Sequence, residues 1–104
     1  MRTLIEIRQM TKELAKGLVR GSYWAIMSLD WVVGLRNDIH GTIIPIKGQD
    51  EPLEDKITRM IFQLKDQGVW RAQSFIEPLR WVLCELDDIN GYRLSKTAKE
   101  SVRF

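Results

Sequence analysis

The chain has little of the chemistry from which most active sites are built. Its 104 residues include one cysteine, Cys84, and one histidine, His40. No internal disulfide can form, and no Cys/His cluster with zinc-binding spacing exists. We interpret Cys84 as a packing residue, and His40 as a residue at a helix end. We therefore predict no catalytic residue, no metal site and no cofactor, and we do not expect an enzyme.

Long apolar runs and a strong charge imbalance are also missing. No stretch approaches the ~20 apolar residues of a membrane span. Residues 1–10 alternate charged and apolar side chains, which is unlike a secretory signal. The net charge of +2 is too small to indicate nucleic-acid binding by itself. Together with the lone cysteine, these features predict a cytoplasmic protein. We see no internal repeat, and we expect a single helical domain over residues 1–104.

Apolar residues recur at helical spacing along most of the chain, which predicts an all-α fold. We expect a compact bundle of four main helices. The first two are predicted over 3–19 and 23–39, the third from about Pro52 to Gly68, and the fourth over 69–88. The second helix has an apolar surface nearly all round, so we place it at the centre of the bundle.

Three further features complete the predicted architecture. Pro78 lies within the fourth helix and should kink it. Residues 41–50 are predicted to form an ordered crossover loop whose isoleucines pack onto the core. The segment 92–104 is basic, and residues 95–102 within it are expected to form a short C-terminal helix.

Two tryptophans form the leading candidate site. Trp70 and Trp81 are eleven residues apart, which places them within roughly 20° of each other on an unbroken helix, opposite the apolar stripe of that helix. Arg71 and Arg80 flank them, and tryptophan and arginine dominate protein-interface hot spots. The pattern predicts a surface that binds a larger protein or a second copy. Two alternatives remain open: a kink at Pro78 that rotates Trp81 into the core, or a crossover loop that covers both rings.

A basic ridge on the first helix is the second candidate. Its members recur every four residues and so form one row along the helix: Arg8, Lys12, Lys16 and Arg20. In this interpretation the row binds an acidic protein surface or a phosphate backbone. The C-terminal segment adds further basic residues: Arg93, Lys96, Lys99 and Arg103. The alternative is an ordinary solvated helix face. We also expect Asp30 to form a salt bridge with a base of the first helix.

These features favour a small non-catalytic protein-binding module. The type fits an inhibitor or accessory factor of the kind that phages and other mobile elements carry. The alternative is a nucleic-acid-associated or regulatory protein that uses the basic ridge and the basic tail. The two hypotheses differ in salt dependence, because phosphate contacts weaken steeply with salt and aromatic contacts do not.

Overall fold

The computed structural model describes residues 1–17, 21–45 and 50–94. Within these ranges the chain forms four helices, which confirms the predicted all-α bundle. They are α1 (Leu4–Ala15), α2 (Ser22–Val32), α3 (Leu53–Asp66) and α4 (Ala72–Val82). The C-terminal helix predicted over 95–102 lies outside the described residues. In the described part of the chain, no helix has the length and apolar character needed to cross a membrane.

α1 and α3, which we call the outer helices, form for similar local reasons. Thr3 and Glu6 build a capping box at the start of α1, in which each side chain accepts a hydrogen bond from the other residue's backbone N–H. α3 carries Glu54 and Asp55 in its first turn, where negative charge interacts favourably with the helix dipole. Each helix buries three apolar residues at the same spacing: Ile7, Met10 and Leu14 in α1, and Ile57, Met60 and Leu64 in α3.

The chain contains an internal repeat, so our expectation that it has none is wrong. α2 spans residues 22–32 and α4 spans residues 72–82, a shift of 50 positions. The same shift superimposes the buried residues of α1 on those of α3 and aligns the sequence without a gap. Identical residues recur at this shift across the chain: Ile7/Ile57, Met10/Met60, Leu14/Leu64, Ile26/Ile76, Leu29/Leu79, Trp31/Trp81, Val32/Val82, Asp38/Asp88, Ile39/Ile89 and Gly41/Gly91. The repeat is hard to see because most of the identical residues are buried and most exposed positions differ between the two copies.

α2 and α4, which we call the inner helices, end in the same way. After α2, the N–H of Leu35 donates to the carbonyl of Asp30 at 2.8 Å, and the N–H of Gly34 donates to Trp31 at 3.2 Å. This pair of bonds is a Schellman motif, which requires a left-handed residue, and Gly34 supplies it with φ +87°. α4 repeats both bonds at equivalent positions, but there Cys84 adopts φ +64°. The motif ends both helices well before the predicted limits of 39 and 88.

A tight turn follows each inner helix. Ile39 and Thr42 exchange two backbone hydrogen bonds, at 3.0 and 2.9 Å, across His40 and Gly41. Both central residues have positive φ, as a type I′ turn requires. The Asp38 carboxylate accepts a hydrogen bond from the Gly41 N–H at 2.8 Å. Residues 88–92 repeat the turn, with Asn90 and Gly91 at its centre. His40 is therefore a turn residue, not the end of a helix.

The first half of the repeat contains α1 and α2, and the second half contains α3 and α4. Each half contacts the other through the turn that follows its inner helix. The hydroxyl of Tyr92, in the second turn, donates to the carboxylate of Glu13 in α1 at 2.9 Å. Thr42, in the first turn, approaches Gln67 at the end of α3 at 3.5 Å. This reciprocity is the pattern that a two-fold relation produces. The halves are therefore joined through both turns and do not form two separate lobes.

The start of each outer helix also covers a tryptophan of the other half. The guanidinium of Arg2 lies 4.7 Å from the ring centre of Trp81 and donates to the Trp81 carbonyl at 3.1 Å. In the other half, the ammonium of Lys56 lies 5.5 Å from the ring centre of Trp31. Both tryptophans thus gain a cation–π contact from the opposite half.

The core is centred on α2, as the sequence predicts, and α4 shares this central position. α2 and α4 pack against each other, while α1 packs on α2 and α3 on α4. Where the inner helices meet, the buried hydroxyl of Ser28 donates to the carbonyl of Phe75 at 3.0 Å. α4 continues through Pro78, which is itself buried. Of the predicted crossover loop, Ile44 is buried and Ile43 is exposed, and residues 46–49 lie outside the described ranges.

Candidate functional site

An aromatic cluster surrounds the guanidinium of Arg71. Its Cζ atom lies 4.6 Å from the ring centre of Trp24 and 4.6 Å from that of Trp70. Trp24 also makes edge contacts with Tyr23 at 6.1 Å and with Trp70 at 6.4 Å between ring centres. His40 completes the group, 6.2 Å from Trp70. We call these five residues the tryptophan–arginine cluster.

Two chain reversals place Trp70 and Arg71 in this cluster. Gly68, with φ +59°, ends α3 in a left-handed conformation. Arg71 is then left-handed itself, with φ 58°, immediately before α4. This conformation is uncommon for a residue with a Cβ atom and costs of order 1–2 kcal/mol. The equivalent residue in the first half is Gly21, which adopts φ +78° without that cost. Two cation–π contacts offset the strain at Arg71.

His40 links the cluster to the core. Its imidazole stacks on Phe75 with ring centres 5.5 Å apart and planes 25° apart. Phe75 is fully buried, whereas His40 is exposed. The first turn thus fixes one side of the cluster to α4 through aromatic contact.

The cluster is largely open to solvent. Trp70 keeps 61% of its surface exposed and Tyr23 keeps 68%. Arg71 is also exposed, and Trp24 is half-buried. Trp70 and Arg71 belong to the predicted site, but Tyr23, Trp24 and His40 were not predicted. The only signal in the sequence is the adjacent Tyr23-Trp24 pair at a helix start, and nothing there indicates that Arg71 lies beside it.

The predicted common face of Trp70 and Trp81 does not exist. Trp81 is only 1% exposed and lies in the core, whereas Trp70 precedes α4 and is not part of it. The wheel argument required one helix from 69 to 88, and the actual helix begins at Ala72. Trp81 is instead the counterpart of the buried Trp31 in the first half. Arg80 pairs with Glu85 at 3.7 Å and does not belong to the tryptophan–arginine cluster.

The residues of the basic ridge do not share one environment. Arg8 and Lys12 line a groove between α1 and the segment after α2, together with Asp30. Among the described residues, none of these three forms an ion pair, so the predicted salt bridge of Asp30 is not formed. Lys16 pairs with Glu13 at 3.3 Å. Arg20 lies outside the described residues, as do three of the four basic residues predicted in the tail: Lys96, Lys99 and Arg103. The fourth, Arg93, is exposed.

Two polar contacts tie the outer helices to the rest of the chain and shift pKa values. The Tyr92 hydroxyl, and then the Lys16 ammonium, lower the pKa of the Glu13 carboxyl by stabilising its charged form. Burial, and then the adjacent Glu13, raise the pKa of Tyr92. In the second half, Arg59 donates to both carboxylate oxygens of Glu51 at 2.7 Å, which raises the pKa of its guanidinium.

The described residues contain no group of three or more His, Cys, Asp or Glu side chains arranged to hold a metal ion. No family model, no curated protein and no solved structure matches the chain.

Proposed function

We propose that the protein is a non-catalytic protein-binding module that binds a larger partner protein through the tryptophan–arginine cluster. The observation that carries the proposal is the guanidinium of Arg71 held between Trp24 and the exposed Trp70. Tryptophan, tyrosine and arginine are the residues most enriched at interface hot spots, and here all three lie together. The type remains an inhibitor or accessory factor of the mobile-element kind, acting in the cytoplasm.

The geometry of the cluster favours tight binding. Its rings are held by edge contacts with one another and by stacking on Arg71, so little side-chain freedom remains to be lost on association. Arg71 also adopts a strained backbone conformation. The equivalent position in the first half is Gly21, which adopts a left-handed conformation without strain. Strain of this kind is typical of functional sites, where the side chain has a role that outweighs the conformational cost.

Replacement of Trp70 tests the proposal. Trp70→Ala should weaken partner binding by about 2 kcal/mol or more while the thermal stability changes little, because the side chain is exposed. Arg71→Lys should also weaken binding, since an ammonium cannot replace a planar stacked guanidinium. Leu4→Ala is the matched control, because Leu4 is an exposed apolar residue outside the cluster.

The measurement is capture of proteins from a cell extract by wild type and variants in parallel, followed by titration of the captured partner. A partner that is retained by Leu4→Ala and lost by Trp70→Ala supports the proposal. If no captured protein depends on Trp70 or Arg71, the proposal is wrong. Trp70-dependent sedimentation of the isolated chain would identify the partner as a second copy.

A nucleic-acid-associated function is the second candidate. It is favoured by Arg8 and Lys12, two neighbouring cations that form no ion pair among the described residues. Two contacts weaken it, because Asp30 lines the same groove and Glu13 neutralises Lys16. Binding to duplex DNA or RNA that falls steeply with salt, and that Arg8→Ala reduces, would favour this candidate.

A further inference from the structure

The internal repeat gives the molecule two equivalent outer surfaces, and their chemistry differs. In the first half, a groove of about 490 Å³ lies between α1 and the segment that follows α2. We call it the α1–α2 groove. None of its nine lining positions carries the same residue in the second half. Surface positions diverge easily because packing does not constrain them, so the difference by itself decides nothing. The decisive feature is what each surface presents.

The α1–α2 groove is apolar with charged edges. Ile5 and Leu35 stand at its sides, 58% and 65% exposed. Arg8 and Lys12 rise from the same helix four residues apart, about 6 Å along its axis. Asp30 adds one negative charge. All three charged groups lack an ion pair within the described part of the chain. The groove therefore suits an apolar side chain accompanied by carboxylates and one cation.

The second half presents a surface of that composition. Phe62, the counterpart of Lys12, projects from α3 with 64% of its surface exposed. Asp55 and Asp66, seven residues before it and four residues after it, lie on the same side of the helix. Lys65 lies three residues after Phe62. These three charged side chains also form no ion pair among the described residues. We call Phe62, Asp55, Asp66 and Lys65 the Phe62 surface.

We propose that the Phe62 surface of one copy of the chain docks into the α1–α2 groove of a second copy. The Phe62 ring would enter the apolar groove and remove both surfaces from water. Asp66, about 6 Å along α3 from Phe62, would face Arg8 and Lys12, and Lys65 would face Asp30. Charges of opposite sign thereby meet across the contact, and this complementarity favours a second copy as the occupant.

The contact joins two different surfaces, so it is heterologous. After the first contact, one copy still has a free groove and the other still has a free Phe62 surface, so further copies add head to tail. The assembly closes into a ring or continues as a filament. This self-association uses residues outside the tryptophan–arginine cluster and is independent of the function proposed above.

Two complementary variants of the full chain test the proposal by sedimentation velocity. The groove variant carries Arg8→Glu and Lys12→Glu, and the knob variant carries Phe62→Ser. Each variant alone should self-associate at least about tenfold more weakly than wild type. An equimolar mixture should form a dimer and nothing larger, because the groove variant still offers Phe62 and the knob variant still offers a groove. Arg93→Glu reverses an exposed charge elsewhere and should associate as wild type does.

The outcomes separate clearly. Concentration-dependent association of wild type, its loss in both variants and its return as a dimer in the mixture support the proposal. Wild type that sediments as a monomer from micromolar to millimolar concentration overturns it. So does a knob variant that still self-associates, or a mixture of two folded variants that forms no dimer. Thermal melts of each variant establish that it is folded, and Phe62→Tyr, which keeps the ring, should retain association if Phe62→Ser fails to fold.

Discussion

Cys84 and Gly34 occupy the same position in the two halves, and only one of them suits it. Both are left-handed, with φ +64° and +87°, and both donate the same backbone bond of a Schellman motif. A side chain there suffers a clash between its Cβ atom and the following carbonyl. The position also explains why Cys84 is exposed, contrary to our interpretation of it as a packing residue.

Cys84→Gly should stabilise the protein. Relief of the left-handed strain, of order 1–2 kcal/mol, exceeds the extra backbone freedom that glycine has when unfolded, so a net gain of about 0.5–1 kcal/mol is expected. Gly34→Ala should do the reverse, since a Cβ atom there meets nothing within 4 Å and only the conformational cost remains. Urea denaturation measures both free energies of unfolding. A destabilised Cys84→Gly would show that the thiol makes a contact that matters.

At the level of elements, each turn forms a hydrogen bond with the outer helix of the other half or with the residue that caps it. The two hydrogen bonds differ in the charge of the acceptor group. Tyr92 donates to the carboxylate of Glu13, whereas Thr42 meets the neutral amide of Gln67. The first bond therefore depends on the protonation of Glu13 and the second does not.

Tyr92→Phe should raise the pKa of Glu13 towards its ordinary value, because the largest cause of the lowering is lost. A carboxyl whose pKa is lowered by folding adds stability above its unfolded pKa, about 4.3 for glutamate. That stability disappears as the pH falls through the lower folded value. The destabilisation by Tyr92→Phe should therefore be present at neutral pH and shrink in acid.

NMR titration of the Glu13 carboxyl and denaturation at several pH values measure these effects. Thr42→Val is the matched control, because its loss of stability should not vary with the ionisation of a carboxyl. An unchanged pKa of Glu13 in Tyr92→Phe would mean that Lys16 and Gln9 lower it without Tyr92.

Across the whole molecule, the reciprocal contacts join the halves into one folding unit. Arg2 covers Trp81, and Lys56 covers Trp31. α2 and α4 form a common centre, so neither half can open without exposing the core of the other.

Trp31→Ala should consequently lower the opening free energy of amides in both halves by a similar amount, about 3 kcal/mol or more. Native-state hydrogen exchange measures this directly, through the slowest amides of α2 and α4. The halves would be independent units if the amides of α4 kept the protection they have in wild type.

The helices themselves could be predicted from the sequence, because their formation depends on local spacing. Ile7, Met10 and Leu14, like Ile57, Met60 and Leu64, mark one buried side of a helix without any tertiary information. Two other signals that the sequence contains were harder to use. Gly34 ends α2, but its equivalent is a cysteine, and the repeat is visible only when buried positions are compared fifty residues apart.

The placement of the tryptophans was decided by tertiary structure. Trp70 and Trp81 share a residue type, yet one is exposed and the other is buried, because α4 begins only after Trp70 and packs Trp81 under Arg2. The contact of Arg71 with Trp24 joins residues far apart in the chain, and no local pattern specifies it. Helical spacing depends on neighbours three and four positions away, whereas a surface site depends on how α2 and α4 meet.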